Sequence, residues 1–265
     1  MSLRRAALLY VFVDVHDLAQ ERELLESIVA LPVIEIEPHL PHHRHGAVKY
    51  DAVDMILSLN LSSKGKFPGD ASDALVTVVY VDWSRGVQQR VRDFGKVERR
   101  ADGTLLTDSS GHHYLFRTAD PASVEPAVHE LRLAVKDIDE SVRFYEDVLD
   151  LELIRQQGRT ARFATGTVDL VLEQRDRAVD GRALRRQTCL LVFHTSDIEE
   201  AHDALVDRGV GFGNKRPAYS EIGGTARFDD PSGNRWCLYQ PSEESLAWES
   251  GPKVVDVVAG RVLAH

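Results

Sequence analysis

The stretch Glu130-Leu131-Arg132-Leu133-Ala134-Val135-Lys136-Asp137-Ile138-Asp139-Glu140-Ser141-Val142-Arg143-Phe144-Tyr145 decides how this chain folds. Leu131, Leu133 and Val135 alternate with Glu130, Arg132 and Ala134, the period-two pattern of a strand with one apolar face and one partly polar face. Asp137 is followed three residues later by Glu140, which is capping-box spacing, so a helix starts there. Ile138, Val142, Tyr145 and Leu149 then recur at three- and four-residue intervals, giving one apolar stripe to lie on the apolar face of the strand. Three shorter strands are predicted to follow, over Leu151–Gln157, Thr160–Ala164 and Asp169–Gln174. The unit is therefore strand, helix and three strands.

The same unit recurs. Four apolar strands end in an aspartate and turn helical, over Tyr10–Asp17, Leu75–Asp82, Glu130–Asp137 and Leu190–Asp197. Asp17/Gln20 and Asp197/Glu200 repeat the capping spacing of Asp137/Glu140, whereas Asp82 has no such partner and its helix is the least marked. Asp108-Ser109-Ser110-Gly111-His112-His113-Tyr114-Leu115-Phe116 lines up with Asp230-Pro231-Ser232-Gly233-Asn234-Arg235-Trp236-Cys237-Leu238, in each case a turn that feeds a strand. Val48-Lys49-Tyr50-Asp51 matches Ala161-Arg162-Phe163-Ala164 in the same way. Segments 62–72 and 175–187 read as links between modules, and 118–126, with Pro121 and Pro126, as the link between two domains. Beyond Pro241, Val254–Val258 reads as a candidate added strand.

Composition bounds the function. The chain has 265 residues, 43% hydrophobic and 28% charged, with a formal net charge of −10. That acidic balance argues against a nucleic-acid backbone as partner, because such binding rests on clustered cations. The apolar runs fall short of the ~20 residues that span a bilayer, and no signal peptide is read at the N-terminus, so a cytoplasmic location is expected. Cys189 and Cys237 make neither a disulfide framework nor a CxxC zinc motif.

A doubled strand–helix–three-strand module closed by Asp-Pro-Ser-Gly-Asn-Arg-Trp resembles the vicinal oxygen chelate superfamily of glyoxalases, bleomycin-resistance proteins and extradiol dioxygenases. Ser141-Val142-Arg143-Phe144-Tyr145 matches its Ser-x-x-Phe-Tyr stretch, and the likeness is strongest over 130–153 and 223–240. The resemblance implies an α+β fold of four βαβββ modules paired into two glyoxalase-like domains with cupped mixed sheets. Modules 1 and 2 are assigned to residues 1–120, and modules 3 and 4 with the tail to residues 121–265. It also implies a ligand in the concave face, a divalent metal held from the first and closing strands, and a homodimer built through sheet edges.

Those ligand positions are tested residue by residue. The first-strand position, seven residues before each aspartate, holds Tyr10, Leu75, Glu130 and Leu190; the closing-strand position holds Leu115 and Cys237. Leucine has no lone pair to donate, so the usual metal is not expected. Glu130, Glu173 and Cys237 remain as weak metal candidates, and the two-His-one-carboxylate set of an iron dioxygenase is absent. Strand parity carries Glu130, Arg132, Leu190, Val192, His194, Arg235, Cys237 and Tyr239 onto the concave face as candidate ligand-binding residues.

Among these, Glu130, His194 and Cys237 are candidate catalytic groups: a carboxylate, a general base, and a nucleophile whose pKa Arg132 or Arg235 would lower. Each has a plainer reading. Glu130 and Arg132 neutralise each other, His194 bonds the backbone at a strand end, and Cys237 is a buried small hydrophobe. His39, His42, His43 and His45 form a loop tract able to attract zinc or nickel, with no carboxylate or cysteine completing a set; His112-His113 is read as a solvated turn exit. The function expected is binding of a small polar or aromatic molecule in a C-terminal cup without a cofactor. The alternative is a lyase, isomerase or dioxygenase-type enzyme using Glu130 and a non-standard metal.

Overall fold

The computed structural model describes residues 7–37, 46–61, 75–81, 85–118, 127–175 and 189–263. The His39–His45 tract lies outside these residues. Module 1 comprises β1 (Leu8–Val15), α1 (Leu18–Glu23, continuing as a wider turn over Leu24–Val29), β2 (Val33–Glu37), β3 (Ala47–Asp51) and β4 (Ile56–Leu61). Module 2 comprises β5 (Leu75–Val81), α2 (Arg85–Val91), β6 (Gly95–Arg100), β7 (Gly103–Asp108) and β8 (His113–Thr118). Module 3 comprises β9 (Ala127–Val135), α3 (Ile138–Arg143, widening over Phe144–Val148), β10 (Glu152–Gln157), β11 (Thr160–Ala164) and β12 (Asp169–Gln174). Module 4 comprises β13 (Cys189–His194), α4 (Ile198–Asp207), β14 (Ala218–Ser220), β15 (Gly223–Asp229) and β16 (Arg235–Pro241).

The aspartates start the helices in the three modules that carry the capping spacing. The Gln20, Glu140 and Glu200 amides donate to the Asp17, Asp137 and Asp197 carboxylates at 3.0, 2.9 and 2.9 Å, satisfying amides that no helical carbonyl can reach. Within each module the first strand runs parallel to the last, as in Phe12 opposite Ser58 and Val192 opposite Cys237, because the helix and two intervening strands make the crossover that parallel pairing needs.

Each first strand keeps one edge open, and the four edges close in pairs. β1 pairs antiparallel with β13 and β5 with β9, giving two eight-stranded sheets of order β14-β15-β16-β13-β1-β4-β3-β2 and β10-β11-β12-β9-β5-β8-β7-β6. One sheet is thus built from modules 1 and 4 and the other from modules 2 and 3, so both sheets run across the division at residue 120. Modules 1 and 2, and likewise modules 3 and 4, meet face to face instead. The turn Leu24–Val29 packs on β5 and α2, and one core joins Val11 and Val13 of β1, Leu75 and Val79 of β5, Leu131 and Leu133 of β9, and Phe193 and Trp236.

The repeated closing turn clamps the sheets together. His112 Nε2 donates to the Asp14 carbonyl at 2.8 Å, and at the matching place Asn234 Nδ2 donates to the Ala134 carbonyl at 3.1 Å. The Asp108 and Asp230 carboxylates receive the His112 and Asn234 amides at 2.8 and 2.7 Å. His112 and His113 are accordingly buried rather than solvated, since the turn faces the opposite sheet and not water.

Beside this clamp Glu21 is only 1% exposed, near Asp108, with the Tyr114 hydroxyl donating to it at 3.4 Å. Burial, and then the Asp108 carboxylate, push its pKa well up. A folded-state pKa raised above the unfolded value contributes stability below the unfolded pKa and loses it as pH rises through the folded pKa. The Glu21→Gln variant is therefore expected to gain stability over the parent between pH 5 and pH 8. Urea denaturation at the two pH values checks this, and an unchanged difference would contradict it.

Two sequence expectations are corrected by the backbone. Val254–Val258 is helical, within α6 (Gly251–Leu263), which follows the short α5 (Glu243–Leu246). Leu75 lies in the core between the sheets, 4% exposed, and the residue of β5 facing the cup opposite Glu130 is Val78. The position seven residues before Asp82 thus falls on the core-facing side of β5, the opposite strand parity to the cup.

Candidate functional site

Each sheet curls into a cup on the face away from the shared core. The smaller cup, on modules 2 and 3, encloses about 290 Å³ between Glu130, Arg132, Arg155, Arg162, Val171 and Glu173. Its chemistry is a closed ion network. Arg132 Nε donates to Glu130 Oε1 at 2.5 Å, while its Nη1 reaches Asp102 at 2.7 Å and Glu173 at 3.1 Å. Arg162 bonds both Glu130 and Asp169, and Arg117 lies 3.8 Å from Glu130. Burial opposes the charge of Asp102, yet Arg132 and Arg117 hold its carboxyl below the usual range. Glu130, 3% exposed, has both oxygens committed to guanidinium groups. The plainer sequence reading, an ion pair with Arg132, describes its contacts.

The larger cup, on modules 1 and 4, encloses about 870 Å³. Strand registers set its floor in two rows. One runs Leu190, Phe12, Ser58, Lys49, Glu35, and the other Arg227, Cys237, Val192, Tyr10, Ile56. The rings of Tyr10 and Phe12 stack with centroids 5.2 Å apart, and Tyr239 meets Tyr10 edge-on at 6.1 Å. Both Leu9 and Tyr10 face the cup because β1 bulges between Leu8 and Tyr10. The floor is thus apolar and aromatic at its centre, with Arg227 and Arg235 on one side and Lys49 and Glu35 on the other.

The chain beyond Pro241 roofs this cup. Ser245, Leu246, Trp248, Ser250 and Val254 line the cavity, and Val254 and Val257 of α6 pack on Leu9, Tyr10 and Val192. Lys49 Nζ donates to Glu35 Oε1 at 2.6 Å, with both side chains buried, and lies 5.2 Å from the centre of the Trp248 ring. Glu35 Oε2 accepts the Ser250 amide at 2.8 Å. Burial opposes the charge of Glu35, but the bonds from Lys49 and Ser250 hold its carboxyl below the usual range.

The sequence-derived site residues therefore divide. Leu190, Val192, Arg235, Cys237 and Tyr239 are brought together in the larger cup, whereas Glu130, Arg132 and Glu173 lie in the smaller one. His194 stands at the strand end outside the cavity lining; its amide donates to the Ala7 carbonyl at 2.9 Å, and burial pushes its imidazole pKa down. Burial pushes the Cys237 thiol up to about 11, outweighing Arg227 and Arg235, while Arg132 sits on the other sheet. Cys237 is expected to resist iodoacetamide at pH 8 in the folded protein and to react once unfolded, which mass spectrometry reads; rapid native labelling would contradict this.

Divalent metal has no matching donor set among the described residues, where no group of three His, Cys, Asp or Glu side chains could hold an ion. In the larger cup the positions in question carry Tyr10, Leu190 and Cys237. In the smaller cup Glu130 faces Val78 and Leu115, and its oxygens are occupied by arginines. The residues present do not fit the group.

The sequence reading missed Phe12, Glu35, Lys49 and the roof, because it confined the site to modules 3 and 4. A signal for Lys49 was present: it aligns with Arg162 in the internal repeat, and each is a cation facing its own cup.

Four βαβββ modules in two cupped sheets define a two-sheet protein of the vicinal oxygen chelate type. The family model of the glyoxalase/bleomycin resistance protein/dioxygenase superfamily matches residues 112–238 of this chain. Glyoxalase I from Zea mays superimposes with a TM-score of 0.70 at 15% identity, covering 98% of this chain and 96% of that one. A putative dioxygenase from Bacillus subtilis superimposes with a TM-score of 0.64 at 10% identity, covering 96% of each chain. At these identities the likeness is one of fold. None of the curated proteins matches the sequence. Among the described residues no helix is long and apolar enough to cross a membrane.

Proposed function

We propose that this protein binds a small organic molecule with an aromatic or apolar body in the cup of modules 1 and 4, without a divalent metal. The observation that carries the reading is the floor itself. Phe12, Leu190, Val192 and Tyr10 occupy the centre of a cavity of about 870 Å³, flanked by a few charged groups. Cavities of roughly 300–1,000 Å³ with apolar walls and sparse polar groups suit drug-sized ligands. Burial of a flat ligand against Tyr10 and Phe12 supplies the affinity, and the flanking Arg227, Arg235 and Lys49 orient it.

The test is a fluorescence titration with N-phenyl-1-naphthylamine, an uncharged aromatic dye that brightens in apolar surroundings. Leu190→Arg, which puts a charge on the floor, is expected to weaken binding more than about tenfold. Arg155→Ala, on the rim of the smaller cup, is expected to leave it unchanged. Equal loss in both variants, or no binding by the parent, would overturn the proposal.

A further inference from the structure

We infer that Ser242–Leu263 is a latched cover over the cup of modules 1 and 4, that ligand enters and leaves by its release, and that Trp248 on its underside is a ligand-contacting residue. This rests on the binding function proposed above and adds how access to that site is controlled.

The cover is a strap fixed at both ends across the floor. On the module 4 side it is anchored where β16 ends: the Ser242 amide donates to the Ile222 carbonyl at 3.1 Å, and Tyr239 Oη lies 3.1 Å from Ser245 Oγ. On the module 1 side it is held to β2 and β3. Glu35 takes the Ser250 amide at 2.8 Å, and Lys253 Nζ donates at 2.6 Å both to Asp51 Oδ1 and to the Val53 carbonyl. In the sheet order, β16 and β3 are separated by β13, β1 and β4, so the strap spans four strand spacings, roughly 19 Å at ~4.8 Å each. Its Val254 and Val257 share one apolar cluster with Tyr10 and Val192 of the floor.

Its two ends are held by different kinds of contact. The module 4 anchor is continuous with the chain and capped as a helix, the Ser245 amide donating to Ser242 Oγ at 3.0 Å. The far end has no covalent tie to module 1. It is held by Glu35, by Lys49 beneath Trp248, by Lys253, and by the modest apolar contact of Val254 and Val257. A tight corner separates the two parts: the Gly251 amide donates to the Trp248 carbonyl at 2.9 Å, and a Cβ at Gly251 would lie 1.9 Å from the Leu246 oxygen. Segments joined to the body by few contacts open at the low end of the free-energy range while the body stays folded. The strap contributes eight of the 26 residues lining the cavity, so its release removes the roof.

Lys253 gives the cleanest test, because it belongs to the latch and does not line the cavity. In stopped-flow mixing with N-phenyl-1-naphthylamine, the parent is expected to reach a concentration-independent rate, that of cover release. Lys253→Ala should raise that plateau about fivefold, the loss expected for one partly exposed ion pair. Hydrogen exchange of the Val254–Val257 amides should quicken by the same factor, and the Trp248→Phe variant should lose the tryptophan emission change that accompanies dye binding. Rates linear in dye and equal in parent and Lys253→Ala, with unchanged exchange, would make the segment a fixed wall and overturn the inference. Failure of the dye to bind would strike at the binding function alone, because the exchange measurement tests the latch without it.

Discussion

Replacing Lys49 by methionine is expected to destabilise the fold by about 3–5 kcal/mol, the cost of breaking a buried ion pair by removing one partner. Glu35 and Lys49 are 6% and 5% exposed, so water cannot replace the lost ammonium. The Glu35 carboxylate would keep the Ser250 amide and lose the ammonium that donates to it at 2.6 Å. For a chain of this length a loss of that size lowers the melting temperature by roughly 10 °C. The double variant Lys49→Met/Glu35→Leu should recover most of it, because an apolar pair in the same space carries no stranded charge. Urea denaturation of the single and double variants measures both. A loss under about 1 kcal/mol for Lys49→Met would mean that the pair is hydrated and contributes no more than a surface salt bridge.

The largest effect in the shared core is expected at Trp236. Its ring is fully buried, stacks on Phe193 with centroids 4.9 Å apart and meets Tyr145 edge-on at 5.8 Å. Its Nε1 donates to the Tyr145 hydroxyl at 3.1 Å, which in turn donates to Asp230 at 2.8 Å. Trp236→Ala empties that space and is expected to cost about 3–5 kcal/mol. Trp236→Phe keeps most of the volume and should cost visibly less. Tyr145→Phe removes the middle of the chain of bonds, so its cost should not add to that of Trp236→Phe, since both remove one shared contact. Strict additivity in that cycle would show that the hydroxyl does not couple the two rings.

The repeat made much of this architecture legible. Period-two strands, capping aspartates and the aligned closing turns located the modules, and β11 and β12 fall on the residues expected for them. The agreement has a local cause: strand parity, helix capping and turn chemistry are settled by neighbours within a few residues. The aligned turns reached further than expected, because His112 and Asn234 perform the same clamp at equivalent places.

The sequence by itself determined the four βαβββ units and the apolar and polar faces of their strands. Tertiary structure alone decided which modules share a sheet, and with it the site. Pairing of β1 with β13 and β5 with β9 sent Glu130 and Arg132 to one cup and Leu190, Val192 and Cys237 to another, and brought Phe12, Lys49 and Glu35 beside the latter. The physical reason is that an open strand edge accepts any strand of matching register and twist, so local pattern fixes the edge but not its partner. The fold of the tail followed the same logic: Val254 and Val257 became one stripe of a helix because a curved apolar floor lay within reach for them to cover.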